Sequence, residues 1–466
     1  MKKKWSFFAS AAMLAAVNIF LRCVALSFNA YISAKIGSES MGLFTLVMSV
    51  YGLAVTLATS GVNLAAVRLT AERTAFLSDM GADSRVYRKT VRSVMFACFS
   101  YSMLFGLATG TLLYAASPFI GRYLLGDVRT VLSLRVLALS LPAISMTSAM
   151  SGCFTGLRKV YKNALSSIIE QSVKIIIISG ALSVSIPAFT DSVEYACLAV
   201  VGGGAVSEGL SLAVNLVMYL FDNKRPVGAL SCKGKGKARA TRVRDTAAVS
   251  LPVAVGAYAR QGLSTAEHLM IPWGMKKSGL SPSAALSAYG VLHGMAFPLI
   301  LFPSAVLSSA AGLLVPELAE MRTLGRRDAV LRLVRTVLRY AIVFSVLCAA
   351  VFFIFADNLG LSVYKSDEAG RMIRLCAPLV PVMYTDMVVD GMLKGLGEQV
   401  ASMRINIIDS ASSLALVAVL VPIFGVRGYI SSVYFCEILN FILSFSHLIS
   451  VLYRRCGSFA LKRNTE

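Results

Sequence analysis

Twelve apolar runs of about twenty or more residues follow one another along this chain, and that succession constrains the fold more than any single motif. They lie near 7–30, 42–67, 93–117, 131–155, 164–187, 195–220, 246–272, 284–314, 337–356, 371–393, 402–423 and 428–452. A bilayer core is spanned by roughly twenty residues of helix, and backbone polar groups at that depth must be satisfied within the segment. Soluble bundles do not fit, because their helices are apolar along one stripe only. Composition agrees: 56% of the chain is hydrophobic and 15% charged, where a soluble domain carries about a quarter charged residues. The expected fold is an all-α membrane protein with about twelve transmembrane helices.

The net charge of +21 would suggest nucleic acid if the cations formed a patch on a soluble face. Instead they fall between the apolar runs. With the N-terminus in the cytoplasm, the even-numbered connections hold Arg85, Arg88, Lys89 and Arg92, then Arg158, Lys159 and Lys162, then the stretch KGKGKARATRVR, then Arg322, Arg326 and Arg327. Arg454, Arg455, Lys462 and Arg463 follow the last run. The odd-numbered connections hold few basic residues, and the ratio of roughly four to one is a strong positive-inside signal that puts both termini in the cytoplasm. Nucleic acid is therefore not an expected partner, whereas anionic membrane lipids are. The run from Phe7 to Ala25 lacks a following small-residue cleavage site and reads as a retained first helix. The nine cysteines include no C-x-x-C pair, and most sit inside apolar runs as small hydrophobes.

The two halves of the chain repeat. Around the fourth and tenth runs, at an offset of 239, Pro142 meets Pro381, Gly152 meets Gly391, Gly156 meets Gly395, and Glu170 meets Asp409. The second and eighth runs match at 248, aligning Gly42 with Gly290 and Ala71-Glu72 with Ala319-Glu320. The first and seventh match weakly at 238, aligning Arg22 with Arg260 and Asn29 with Glu267. Six spans per half give both halves the same orientation, a parallel repeat whose substrates bind between the lobes. The expected organisation is an N-terminal six-helix lobe at 1–222, a basic cytoplasmic linker at 223–245, a C-terminal six-helix lobe at 246–456 and a tail at 457–466.

An ionisable side chain at bilayer depth costs at least about 2.5–3.5 kcal/mol, so each one is a candidate for function. Arg22 and Arg260 lie within spans, and Asn29 and Glu267 follow them by two turns on the same helical faces. These four are the candidate substrate-binding residues of a central cavity, with the guanidinium groups suited to bidentate contacts with a pyrophosphate. The competing reading pairs Arg260 with Glu267 as a helix lock. Glu170, Glu208, Asp386, Asp390 and Asp409 are candidates for a coupling proton or sodium ion, against a structural reading in which Lys174 satisfies Glu170 and Lys394 pairs with the aspartates. Glu437 is a lone acid in the twelfth span. His268, His293 and His447 lack metal-ligand spacing and read as packing or cavity groups. Gly152-x-x-x-Gly156 and Gly202–Gly204 read as close-packing surfaces. No Walker A, H-E-x-x-H, G-x-S-x-G or kinase pattern occurs, so neither ATP hydrolysis nor another enzyme activity is expected, and no cofactor beyond a coupling ion.

Three segments carry a resemblance: GSESMGLFTLVMSVYGLAVTLATSGVNLAAVRLTAE (37–72), SAYGVLHGMAFPLILFPSAVLSSAAGLLVPELAE (287–320) and PLVPVMYTDMVVDGMLKGLGEQVASMRINIIDS (378–410). They resemble oligosaccharide flippases of the multidrug/oligosaccharidyl-lipid/polysaccharide superfamily, in particular its stage V sporulation protein B branch. The resemblance implies a monomeric flippase of the bacterial cell membrane, working alongside cell-wall synthesis enzymes. Its cargo would be an undecaprenyl-pyrophosphate-linked saccharide, lipid II or a related precursor, moved from the inner to the outer leaflet. Lipid II flippases of the MurJ type carry two further C-terminal helices lining a lipid groove, and about twelve spans argue against that groove here. The alternatives are a cation-coupled multidrug exporter of the same fold, which Glu208 favours and Arg22 disfavours, and a membrane enzyme acting on lipid-linked sugars, which the short outer loops disfavour.

Overall fold

The structure, a computed structural model, describes residues 2–79, 84–157, 159–188, 193–221, 243–324 and 326–457. Of the basic linker expected at 223–245, residues 223–242 lie outside these residues and Val243–Asp245 open a helix; of the tail expected at 457–466, only Gly457 is described, at the end of the last helix. Fifteen α-helices occupy the described chain: α1 (Lys2–Thr59), α2 (Val62–Asp79), α3 (Ser84–Phe119), α4 (Thr130–Gly156), α5 (Val160–Ala188), α6 (Val193–Leu220) and α7 (Val243–Lys277) in the first part. The second part holds α8 (Pro282–Tyr289), α9 (Phe297–Leu301), α10 (Ser304–Thr323), α11 (Arg327–Ile354), α12 (Ala356–Tyr364), α13 (Asp367–Cys376), α14 (Val380–Gly395) and α15 (Gln399–Gly457). A π-helical turn, Gly290–Ala296, joins α8 to α9.

Among the described residues nine helical stretches are long and apolar enough to cross a bilayer. Two of them, Ile19–Thr74 with 56 residues and Gln399–Tyr453 with 55, are long enough for two crossings. Each is bent by a glycine in the left-handed region, Gly37 at φ 77° and Gly425 at φ 58°. The polar helix α7 falls outside that apolar set, although it is 35 residues long. Counting the doubled stretches twice and adding α7 gives the twelve crossings expected. The eighth crossing is longer than its apolar run: it breaks at Phe302-Pro303 and resumes as α10 to Thr323.

Two compact units emerge from the packing, one of Leu46–Thr265 and the other of Met1–Thr45 with Ala266–Glu466. In the first, α2, α3 and α4 bury a core that includes Val62, Leu69, Met95, Tyr101, Met150 and Phe154. In the second, α14 packs among α10, α11 and α15, with Tyr384 sealed at its centre.

The repeat read from the sequence reappears as repeated packing inside each unit. A Cβ added to Gly152 would lie 2.4 Å from the Asn63 carbonyl oxygen, and one on Gly156 would lie 2.8 Å from both Val67 O and Thr70 Cβ. In the other unit a Cβ on Gly391 would lie 2.8 Å from Ala311 Cβ, and one on Gly395 3.0 Å from Leu318 Cβ and 3.2 Å from Val315 O. Asn63, Val67 and Thr70 shifted by 248 are Ala311, Val315 and Leu318. The glycines shift by 239, so both offsets are satisfied by one set of contacts. Small residues let the two backbones approach this closely.

The turns that follow repeat as well. After α4, Leu157 N–H donates to Cys153 O at 2.9 Å and Lys159 N–H to Phe154 O at 2.8 Å. After α14, Leu396 N–H donates to Met392 O and Glu398 N–H to Leu393 O, both at 2.9 Å. In the second turn Gly397 takes φ +80° and completes a Schellman cap. A third cap of this type ends α7, where Gly279 N–H reaches Lys276 O and Leu280 N–H reaches Met275 O.

One contact maps onto itself under the repeat. A Cβ on Gly42 would lie 2.1 Å from Leu286 O, and one on Gly290 would lie 2.2 Å from Ser38 O. Ser38 and Gly42 shifted by 248 are Leu286 and Gly290. A hydrogen bond between Ser38 Oγ and Ser287 Oγ, 2.6 Å, closes the same crossing.

The Gly202–Gly204 run does not form the expected close-packing surface. Among the described residues, only Gly203 approaches a neighbour, Ile178 on α5, whereas Gly202 and Gly204 have nothing within 4 Å of an added Cβ. Adjacent helical residues point in different directions, so three consecutive glycines cannot all face one partner.

Candidate functional site

The two arginines expected at the cavity stand on α1 and α7, and both are exposed. Among the described residues neither Arg22 nor Arg260 has an ion-pair partner. The helix lock between Arg260 and Glu267 is absent, because the Glu267 carboxylate instead accepts a hydrogen bond from Ser413 Oγ at 2.7 Å. Asn29 is half-buried, and its Oδ1 is buried without a hydrogen-bond partner. A buried carbonyl oxygen left unpaired costs about 1–3 kcal/mol, so this position has spare capacity for a donor.

Within the unit of residues 46–265, Glu170 accepts from Ser211 Oγ at 2.8 Å, which connects α5 to α6. The sequence expectation gave that role to Lys174, one turn along the same helix. Glu208 is half-buried on α6, within electrostatic range of Glu170 and Lys174.

The other unit gathers acids that the sequence scatters. Glu437 on α15 lies within electrostatic range of Asp409, Asp386 and Glu267, groups drawn from the seventh, tenth and eleventh crossings. Asp386 accepts from Asn440 Nδ2 at 2.9 Å, yet its Oδ1 and the Oδ1 of Asn440 are buried without partners. Two orphaned acceptor oxygens beside several carboxylates are a place for a cation or a proton. Asp390 lies within electrostatic range of Asp386 but is itself paired. It pairs with Lys394 one turn away, as the spacing of four suggested, and also accepts from Ser402 Oγ. Among the described residues no three His, Cys, Asp or Glu side chains are arranged to hold a metal ion.

One cluster escaped the sequence reading. His268 on α7 and His293 in the π-helical turn lie ring against ring, with centroids 4.7 Å apart at 78°. Tyr289 O–H meets His268 Nδ1 at 3.0 Å, and Tyr429 O–H meets His293 Nε2 at 2.8 Å. The wide turn also brings the rings of Tyr289 and His293 to 4.8 Å. Partners separated by 21 and 136 residues leave no local spacing signal. The only sequence clue is that these imidazoles sit in apolar runs.

Comparison with known proteins bears on the fold and the family. The family model described as polysaccharide biosynthesis protein matches residues 7–322, and a second, MatE, matches residues 276–420. The stage V sporulation protein B of Bacillus subtilis (strain 168) is 23% identical over 429 residues, covering 91% of this chain and 80% of that protein. Among solved structures, the lipid II flippase MurJ in an inward closed conformation superposes with a TM-score of 0.68 at 14% identity, covering 97% of this chain and 93% of that one. A multidrug resistance MATE family transporter in an inward-facing conformation gives 0.67 at 15% identity, covering 97% and 100%. At these identities the structures speak for the fold, and the family model spans more than half the chain. The chain is therefore a multi-pass membrane transporter that belongs to the polysaccharide biosynthesis protein family of the multidrug/oligosaccharidyl-lipid/polysaccharide superfamily.

Proposed function

We propose that the protein moves a lipid-linked anionic saccharide, carried on undecaprenyl pyrophosphate, from the inner to the outer leaflet of the bacterial cytoplasmic membrane by alternating access. The observation that carries this reading is the pair Arg22 and Arg260, two exposed guanidinium groups within membrane-spanning helices that lack ion-pair partners among the described residues. A charge kept at that depth without a protein partner calls for an anionic cargo. A planar guanidinium is suited to bidentate contact with phosphate oxygens. Asn29, with its unpaired carbonyl oxygen, and Glu267 offer acceptors for sugar hydroxyls. The similarity to stage V sporulation protein B and to the lipid II flippase supports the same cargo class.

Coupling to a cation fits the acids of the second unit. Asp386, Asp409 and Glu437, with the orphaned oxygens of Asp386 and Asn440, make that cluster the stronger candidate for a coupling proton or sodium ion, and Glu170 and Glu208 the weaker. The multidrug reading retains one feature in its favour, the acid Glu208 in the sixth crossing. The test is translocation of lipid II and of a simpler lipid-linked sugar in proteoliposomes, comparing wild type with Arg22→Gln/Arg260→Gln. We expect flipping to fall by more than about tenfold, the loss of at least 1.4 kcal/mol of cargo binding, with expression and thermal stability unchanged. Undiminished flipping in the variant would refute the assignment, and ion-driven dye export without lipid flipping would establish the multidrug reading.

A further inference from the structure

The chain contains three histidines, and two of them form the closed group described above. A neutral imidazole has one donor and one acceptor nitrogen, and a phenol can play either part. The observed pairs, Tyr289 with His268 and Tyr429 with His293, are therefore satisfied while both rings are neutral. The two phenols are sealed, Tyr289 at 0% and Tyr429 at 2% exposure, whereas both imidazoles are only half-buried.

We propose that His268 and His293 together form a site for a single proton, whose occupancy controls the packing of α7, the Gly290–Ala296 turn and α15. Two imidazolium charges with ring centroids 4.7 Å apart would repel strongly in so dry a place, so the pair takes one proton and no more. The faces of Tyr289, Phe297 and Tyr429, at 4.8, 5.1 and 5.4 Å from the His293 ring, can receive that charge by cation–π contact.

The other titratable groups around the cluster are acids, a thiol and the two phenols. From α7 comes Glu267, held by Ser413, and within range of both Tyr289 and Tyr429. From α15 comes Glu437, and from α13 comes Cys376, each within range of Tyr429. Among the described residues, no lysine or arginine acts electrostatically on these four ring residues.

Protonation changes the hydrogen bonds as well as the charge. An imidazolium donates from both nitrogens, so the phenol facing it must turn to accept, and its own hydrogen then needs another acceptor. A buried donor without a partner costs about 1–3 kcal/mol, and an added charge in a desolvated cluster costs more. The packed arrangement is therefore the proton-free one, and proton uptake favours an arrangement in which the cluster has opened. A ligand shifts a conformational equilibrium by its differential affinity for the two states, and here the ligand is a proton.

The site can be read without any cargo, in the full-length protein in lipid nanodiscs. In His447→Gln the only imidazoles left are His268 and His293, and nitrogen-15 histidine spectra from pH 8 to pH 5 report their protonation. We expect the pair to gain at most one proton in total. Over the same range, hydrogen exchange of Gly290–Ala296, taken relative to the intrinsic amide rate at each pH, should rise by up to about tenfold for each unit that pH falls, the most that one-proton linkage allows. His268→Gln/His293→Gln should flatten that rise. Tyr429→Phe keeps both imidazoles and should move the midpoint without abolishing the uptake, which covers the case where the double variant does not fold. Three results would overturn the proposal: two complete and independent titrations, two rings still neutral at pH 5, or an acid-induced rise in exchange that survives in the double variant.

Discussion

Replacing Gly152 by alanine tests the packing on which the repeat rests. The added Cβ would stand 2.4 Å from the Asn63 carbonyl oxygen and 2.8 Å from Ala66 Cβ, against an ordinary contact of 3.4 Å or more. Both obstacles are backbone or a first side-chain carbon, so no rotamer change relieves them. The helices α2 and α4 must separate by about 1 Å, and a gap of that size forfeits a quarter to a half of the dispersion attraction along the seam. Overpacking of this kind costs about 1–3 kcal/mol. The matching control is Gly202→Ala, where nothing among the described residues lies within 4 Å and the change removes only a poor helix former. In a thermal unfolding series on purified protein, Gly152→Ala should melt several degrees below wild type and Gly202→Ala at or above it. Equal melting temperatures for the two variants would refute the argument that these glycines exist for backbone approach.

Other substitutions separate structural charges from functional ones. Lys162 is 6% exposed, and its ammonium donates to the Met218 carbonyl at 2.9 Å. Lys162→Met should therefore cost about 1.5–3 kcal/mol, visible as a lower unfolding midpoint. Asp390→Asn should leave cargo movement unchanged, because its partner Lys394 is 45% exposed and such pairs contribute no more than about 1 kcal/mol. Asp386→Asn in the same transport assay should abolish dependence on an imposed ion gradient, and equal behaviour of the two variants would remove Asp386 from the coupling role.

Much of the fold was legible because membrane insertion writes itself into long apolar runs and basic loops. The repeat was also legible: Gly152, Gly156, Gly391 and Gly395 stood out in register, and the structure seats each on the second or eighth crossing. Gly202 and Gly204 look the same in sequence but meet nothing among the described residues, since spacing reveals a small residue and not the presence of a neighbour. The individual charges were only partly readable. Local pairing was right for Asp390 and Lys394, one turn apart on one helix. It failed for Glu170, Glu267 and Asp386, whose donors Ser211, Ser413 and Asn440 arrive from other helices. The His268–His293 pair was illegible for the same reason, since its partners are assembled by tertiary packing across three crossings.

The reciprocal contact of Gly42 and Gly290 has an evolutionary reading. A six-helix chain that paired with a copy of itself would have set one glycine against the same carbonyl twice, so a single codon would have governed both sides of the crossing. Joining two copies end to end separates that codon into two, and each is then free to drift alone. Here both positions still hold glycine, and Ser38 O and Leu286 O still receive them. A side chain gained on either side would now tilt the crossing toward one half of the molecule, an asymmetry that a pair of identical chains could not have acquired by a single change.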